Sequence, residues 1–222
     1  MKRYPVIDLI RGLAVFLMII FHFSYDLTLF GLASFDVNKD LFWWTFPRVI
    51  VFLFMFSVGI SIKHSHGEKI RWPSFLKRLL KLVLLAGLIS LFTYYYFPQS
   101  WIYFGTLHSI AVCSILILPL LKTPKLSLLI GAGLIIFSVF FGKDIPWLVL
   151  PHASMDYIAP FPWVGVCLLG VYAHSIKFHE LPIRNIKYLK PINYMGRHSL
   201  IIYITHQPIL FSLVWIFNKL VR

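Results

Sequence analysis

The sequence predicts an all-α fold, a polytopic membrane helix bundle, and three observations carry that expectation. Hydrophobic residues make up 59% of the 222-residue chain, with a mean hydropathy of +0.80. They gather into stretches near the roughly 20 residues that a helix needs to cross a bilayer. The 21 Lys and Arg residues, against 8 Asp and Glu, fall mostly between those stretches. Membrane topology produces that pattern, whereas a nucleic-acid surface would gather the charge on one polar face. Only 13% of residues are charged, which leaves no room for a separate soluble domain, so residues 1–222 are read as a single integral-membrane domain.

The first span, Ile7–Leu29, reads IDLIRGLAVFLMIIFHFSYDLTL. It carries Asp8, Arg11, His22 and Asp26, which a plain anchor would not keep. At about 100° per residue, with Arg11 as zero, His22 falls near +20° and both aspartates near +60°. The four form one narrow stripe, and Arg11 and His22 lie roughly 16 Å apart along the axis. Each such group costs on the order of 2.5–3.5 kcal/mol at the bilayer centre. Asp8 with Arg11 (i,i+3) and His22 with Asp26 (i,i+4) are spaced to offset part of that cost along their own helix. Arg11 also suits a headgroup position, where its stem can snorkel. The charged stripe and the lack of a small-residue cleavage motif argue against a cleaved signal peptide.

Six further spans follow: Phe42–Ile62, Leu79–Phe97, Thr106–Leu121, Leu126–Phe141, Pro160–Ser175 and Ser199–Leu220. With the amino end inside, sixteen Lys and Arg lie at the cytoplasmic face and five opposite, namely Lys39, Arg48, Lys143, Lys219 and Arg222. That asymmetry predicts a cytoplasmic N-terminus and an external C-terminus. The external connection FPQSWIYFGT has no basic residue and reads as an interfacial aromatic belt. Asp8, Arg11, Arg197 and His198 then lie near the inner face, with His206 about two turns into the last helix. His22, Asp26, Arg48 and His108 lie near the outer face. Cys113 and Cys167 fall in apolar segments without a CxxC spacing and are read as packing residues.

His22 with Asp26 reads as a base and the carboxylate that orients it, a pairing that contributes typically 10²–10⁴-fold to proton transfer. His108, in YFGTLHSIA, suits either an acceptor or oxyanion site or a plain interfacial position. His206 is followed by Gln207 and Pro208, and the proline frees a backbone carbonyl inside the bundle. Function and simple helix-packing polarity both fit it. Arg48 suits solvent and headgroups, or a negative charge in an outer cavity, and with Tyr103 it is assigned to the acceptor. The basic cluster Lys63–Lys81 suits anionic lipid or a phosphorylated donor. His64 and His66 form an HxH in that region, but no third ligand is evident in sequence, so no metal is expected.

These stretches resemble the heparan-alpha-glucosaminide N-acetyltransferase catalytic-domain-like family, within the wider transmembrane acyltransferase superfamily. The residues that carry the resemblance are IDLIRGLAVFLMIIFHFSYDL, FPRVIVFLFMFSVGIS, YFGTLHSIA and GRHSLIIYITHQP. It runs through about the first 118 residues and returns in the last helix, while Lys122 to Lys190 matches in hydropathy alone. The ten residues between Arg11 and His22 also resemble the Arg–x10–His signature of the acyltransferase-3 branch. The resemblance implies an acyl-CoA-dependent O- or N-acetyltransferase of the cytoplasmic membrane of a bacterium. It would move an acetyl group from cytoplasmic acetyl-CoA to a hydroxyl or amine of an extracytoplasmic sugar or glycan. Arg11, Asp8 and Arg197 would serve the donor, and its pantetheine arm would run beside the first helix towards His22. His22 would take the acceptor's proton or carry the acetyl group briefly, Asp26 would orient it, and His108 or His206 would stabilise the oxyanion. A homodimer or partner subunit is expected if seven helices leave the acceptor site open.

One rival reading makes the Asp/His/Arg stripe the proton or anion path of a transporter or channel. A retinal photoreceptor is excluded by the last span, whose Lys219 sits at its very end. A pure scaffold accounts poorly for the stripe.

Overall fold

The computed structural model describes residues 4–34, 40–182 and 189–221. Of the basic residues used for orientation, Lys2, Arg3, Lys39, Arg184, Lys187 and Arg222 lie outside them. Eight α-helices occur among the described residues, and no strand. They are α1 (Pro5–Leu29), α2 (Leu41–His66), α3 (Trp72–Tyr96), α4 (Thr106–Leu116), α5 (Pro124–Phe141), α6 (Trp163–Ser175), α7 (Leu189–Arg197) and α8 (Ser199–Val221).

Local chemistry sets most of the helix ends. Helices α1, α3 and α5 all place proline in their first turn, where its missing N–H has no intrahelical partner to lose. For α3 that moves the start to Trp72, ahead of the expected Leu79, and draws Lys77 and Arg78 into the helix. The fourth span breaks at Leu116, because Pro119 cannot continue the ladder and the chain tightens into a 3₁₀ turn at Leu118–Leu120. Gly142, at φ 59°, takes the left-handed position that ends α5.

Four helices, α1, α2, α5 and α8, are long and apolar enough to cross a membrane, and α4 and α6 are shorter apolar helices. On α8, Ile209, Leu213, Ile216 and Phe217 are exposed, as are Leu129, Val139 and Phe140 on α5. Broad apolar surfaces without protein cover are what lipid solvates. The chain is an integral membrane protein. Helix α7 was not expected, since its nine residues are too short and too polar to read as a span.

The described residues divide into two compact units, those of 55–179 and those of 4–54 with 180–221. In the second, Ala14, Val15 and Met18 of α1 pack with Ile50 and Phe54 of α2, bordered by Met195, Ile202 and Tyr203. Helices α1 and α7 meet backbone to backbone through a reciprocal pair of glycines. A Cβ on Gly12 would lie 1.8 Å from the carbonyl oxygen of Ile192, and one on Gly196 would lie 1.7 Å from that of Asp8. Small residues of this kind let helices approach closely where lipid offers no hydrophobic drive to associate.

In the other unit, Gly59 of α2 faces the carbonyl of Cys167, and Gly170 of α6 faces that of Phe56. Cys113 and Cys167 are buried thiols, as packing residues should be. The loop before α6 returns to α4, where Asp156 Oδ2 accepts from the backbone N–H of Thr106 at 3.0 Å and from its hydroxyl at 3.2 Å. Loss of solvent pushes the Asp156 carboxyl above the usual carboxylate range, with the two Thr106 bonds opposing.

Two predictions follow from this packing. Gly12→Ala should lose about 1–3 kcal/mol of stability by overpacking against a backbone that cannot yield. Gly87→Ala, whose added Cβ meets nothing within 4 Å, should melt no lower than the parent in detergent. For Asp156, the raised carboxyl means that the folded state holds its proton more tightly than the unfolded one. This group's contribution to stability is therefore lost as pH rises from the unfolded value through the folded one. Asp156→Asn, which keeps an acceptor oxygen, should flatten that slope, and Asp156→Ala should cost about 1 kcal/mol through loss of the cap. Thermal melts across pH check both variants.

Candidate functional site

One polar face of α1 builds the site. The steps Asp8, Gly12, Val15, Ile19, His22 and Asp26 alternate four and three residues and so stay on one side of the helix. Asp8 is 4% exposed and Asp26 is fully buried, whereas Arg11 and His22 are half-buried. The stripe expected from sequence therefore faces protein, meeting α7 at its start and α8 further along.

At the start, Arg197 of α7 approaches Asp8, with Nε 3.6 Å from Oδ2. Asp8 is enclosed while Arg197 is half exposed, so the guanidinium keeps N–H groups for another anion. The contact depends on the crossing below it, because the backbone of Gly196 rests on the Asp8 carbonyl. Arg11 follows one turn after Asp8.

Further along, α8 brings two consecutive polar side chains against α1. The rings of His22 and His206 meet edge to face with centroids 4.8 Å apart. Gln207 Nε2 donates to Asp26 Oδ1 at 2.9 Å. The hydrogen bond expected between His22 and Asp26 is not formed: Asp26 Oδ2 has no partner among the described residues. Spacing along one helix allowed that bond, but the amide from α8 takes the carboxylate and the His22 ring turns onto His206. Asp26 thus fixes α8 at the residue next to His206. Sequence reading had noted Gln207 without giving it a role. The signal was available, since neighbouring polar residues inside an apolar helix point about 100° apart and can meet two partners.

His206 has a defined proton arrangement. Its Nδ1 lies 2.7 Å from the carbonyl oxygen of Tyr203, which can only accept, so Nδ1 carries the hydrogen. Nε2 then bears the lone pair and, buried, has no partner among the described residues. Three such atoms occur here together, namely His206 Nε2, Asp26 Oδ2 and Gln207 Oε1. Each costs roughly 1–3 kcal/mol unless something else satisfies it.

The other residues singled out lie elsewhere. His108 belongs to the other unit, where it locks the start of α4. Its Nδ1 accepts from the Gly105 N–H at 3.1 Å, so Nε2 carries the proton and faces Ser90 Oγ at 3.3 Å. Ser90 in turn donates to the Ile102 carbonyl at 2.6 Å. Both ring nitrogens of His108 are thus engaged at the start of α4. Tyr103 packs among the rings of Trp101, His152 and Tyr157. Arg48 is exposed on α2, its guanidinium 3.6 Å above the Trp44 ring.

No curated protein and no solved structure matches the chain. The profile described as heparan-alpha-glucosaminide N-acetyltransferase, catalytic, does match, over residues 3–208. That range includes Lys122–Lys190, where hydropathy alone had suggested likeness, and it takes in α1, α7 and the part of α8 that bears His206. The chain belongs to the heparan-alpha-glucosaminide N-acetyltransferase catalytic family and is a membrane protein of acetyltransferase type.

Proposed function

We propose that this protein transfers an acetyl group from cytoplasmic acetyl-CoA to a hydroxyl or amine of an extracytoplasmic sugar. The observation that carries this reading is the buried contact of His22 and His206, with a bare imidazole nitrogen, beside unsatisfied Asp26 and Gln207 oxygens. The family match supplies the reaction type. In this reading the chain is one domain in a bacterial cytoplasmic membrane with its amino end inside, which puts Asp8 and Arg197 on the donor's side.

His22 takes the proton as the acceptor oxygen or nitrogen attacks the thioester carbonyl. The imidazolium formed there is stabilised by the neighbouring neutral His206 ring, whose Nε2 can turn to accept from it. Collapse of the tetrahedral intermediate breaks the C–S bond, and the departing thiolate recovers the proton from His22 as coenzyme A. Asp26 and Gln207 are positioning residues that hold His206 against His22, and their free oxygens accept from the acceptor's other hydroxyls. Arg197, aimed by Asp8, and Arg11 hold the donor's phosphates through charge-assisted bonds.

Labelled acetyl-CoA supplied to purified protein in nanodiscs tests this. His22→Ala and His206→Ala should each lower kcat by roughly 10²-fold or more. Proton or anion flux with no thioester consumption would instead support the transporter reading. Separately, Arg11→Ala and Arg197→Ala should raise KM for acetyl-CoA by about 10-fold with little change in kcat, as loss of one charge-assisted contact predicts.

A further inference from the structure

We infer that His64, His174 and His179 form a binding site for a first-row divalent transition-metal ion, with Zn²⁺ its simplest occupant. The three imidazoles come from three places: the last turn of α2, the last turn of α6 and the 3₁₀ turn at Phe178–Glu180. One ring nitrogen of each lies within 4.8 Å of the others. No substrate role accounts for this group, which lies in the unit that does not contain His22 and His206.

Distances favour a metal. Tetrahedral zinc with Zn–N bonds near 2.0–2.1 Å requires ligand nitrogens about 3.3 Å apart. His64 Nδ1 and His174 Nε2 stand 3.3 Å apart. The His179 ring stacks on that of His174 with centroids 3.9 Å apart and an angle of 4° between planes, and it lies 5.8 Å from the His64 ring. For His179 to share the ion its ring must tilt out of the stack, because an imidazole lone pair lies in the ring plane and parallel planes do not meet at one point. Three imidazoles with the fourth position open to water suit Zn²⁺, Ni²⁺ or Cu²⁺ better than the hard cations Mg²⁺ and Ca²⁺, which prefer oxygen.

The surrounding chain also fits. Lys177 adopts φ 61°, a left-handed conformation that lysine rarely takes, in the turn that folds His179 back over His174. Lys63, the nearest cation in sequence, turns its ammonium to the carbonyl of Leu121 at 2.7 Å. His66, the other half of the HxH, takes no part, because its Nδ1 accepts from the Arg71 N–H at 3.2 Å. His64 and His174 are half-buried and residues 175–177 are exposed, which leaves a path for an ion to enter. Sequence alone paired His64 with its neighbour, while the ligands that meet it are more than 100 positions away. A bound ion would pin the end of α2 to the end of α6, beyond the crossing made by Gly59 and Gly170.

Untagged protein, stripped with chelator and titrated with Co²⁺ and then Zn²⁺ in detergent, tests the inference. The unaltered chain should take up one equivalent of Co²⁺ with the visible absorption of a nitrogen-ligated tetrahedral ion, which Zn²⁺ then displaces. His174→Ala and His179→Ala should each weaken binding by about 100-fold or more, given that even outer contacts are worth 10–100-fold. His66→Ala should bind as the parent does. Absence of stoichiometric Co²⁺ or Zn²⁺ from the parent protein overturns the proposal whatever the variants do, and so does unchanged binding in folded His174→Ala.

Discussion

The hydrogen bond from Gln207 to Asp26 governs the site, because it is the contact that fixes the face α8 presents to α1. A carboxylate in apolar surroundings is stable only when paired or bonded. Here it has one neutral amide and keeps a second oxygen without a partner. Stability alone would favour a hydrophobic pair of similar volume in that place. One residue away, the same contact holds the His206 ring against His22.

Around this polar contact, cohesion comes from a different source. Apolar side chains gain little by leaving lipid for protein, so helices in a bilayer adhere through close backbone approach and a few polar bonds. Gly12 with Gly196 and Gly59 with Gly170 make that approach reciprocally, each glycine resting against a carbonyl of its partner helix. The two aspartates of α1 are held differently: Asp8 pairs with an arginine that reaches outward, and Asp26 is closed in with an amide.

Much of this was legible in the chain itself. The 100° stepping that put Asp8, Arg11, His22 and Asp26 on one stripe also predicts the face that the structure buries, because both follow from helix geometry alone. Which side chain bonds to which was not legible. Asp26 could reach His22 one turn away, and only the placement of α8, 181 positions later in sequence, gives it to Gln207. Helix α7 was hidden for a related reason: its close packing on α1 runs through a glycine and a carbonyl, and neither registers in hydropathy. His108 carried the residue type and the position of a catalytic group, but its two ring bonds are local, to Gly105 and Ser90.

The α1–α7 crossing also constrains any donor that spans the distance from Arg11 to His22. At Gly12 and Gly196 the two backbones touch, so no arm passes between these helices at that level. On the far side of α1, Leu13, Phe16, Ile20 and Phe23 are exposed and apolar, a surface suited to lipid chains and poorly suited to amide groups. Between Arg11 and His22 the face they share carries Val15 and Met18, buried against Ile50 and Phe54 of α2, so a donor reaching from one group to the other has to displace that packing.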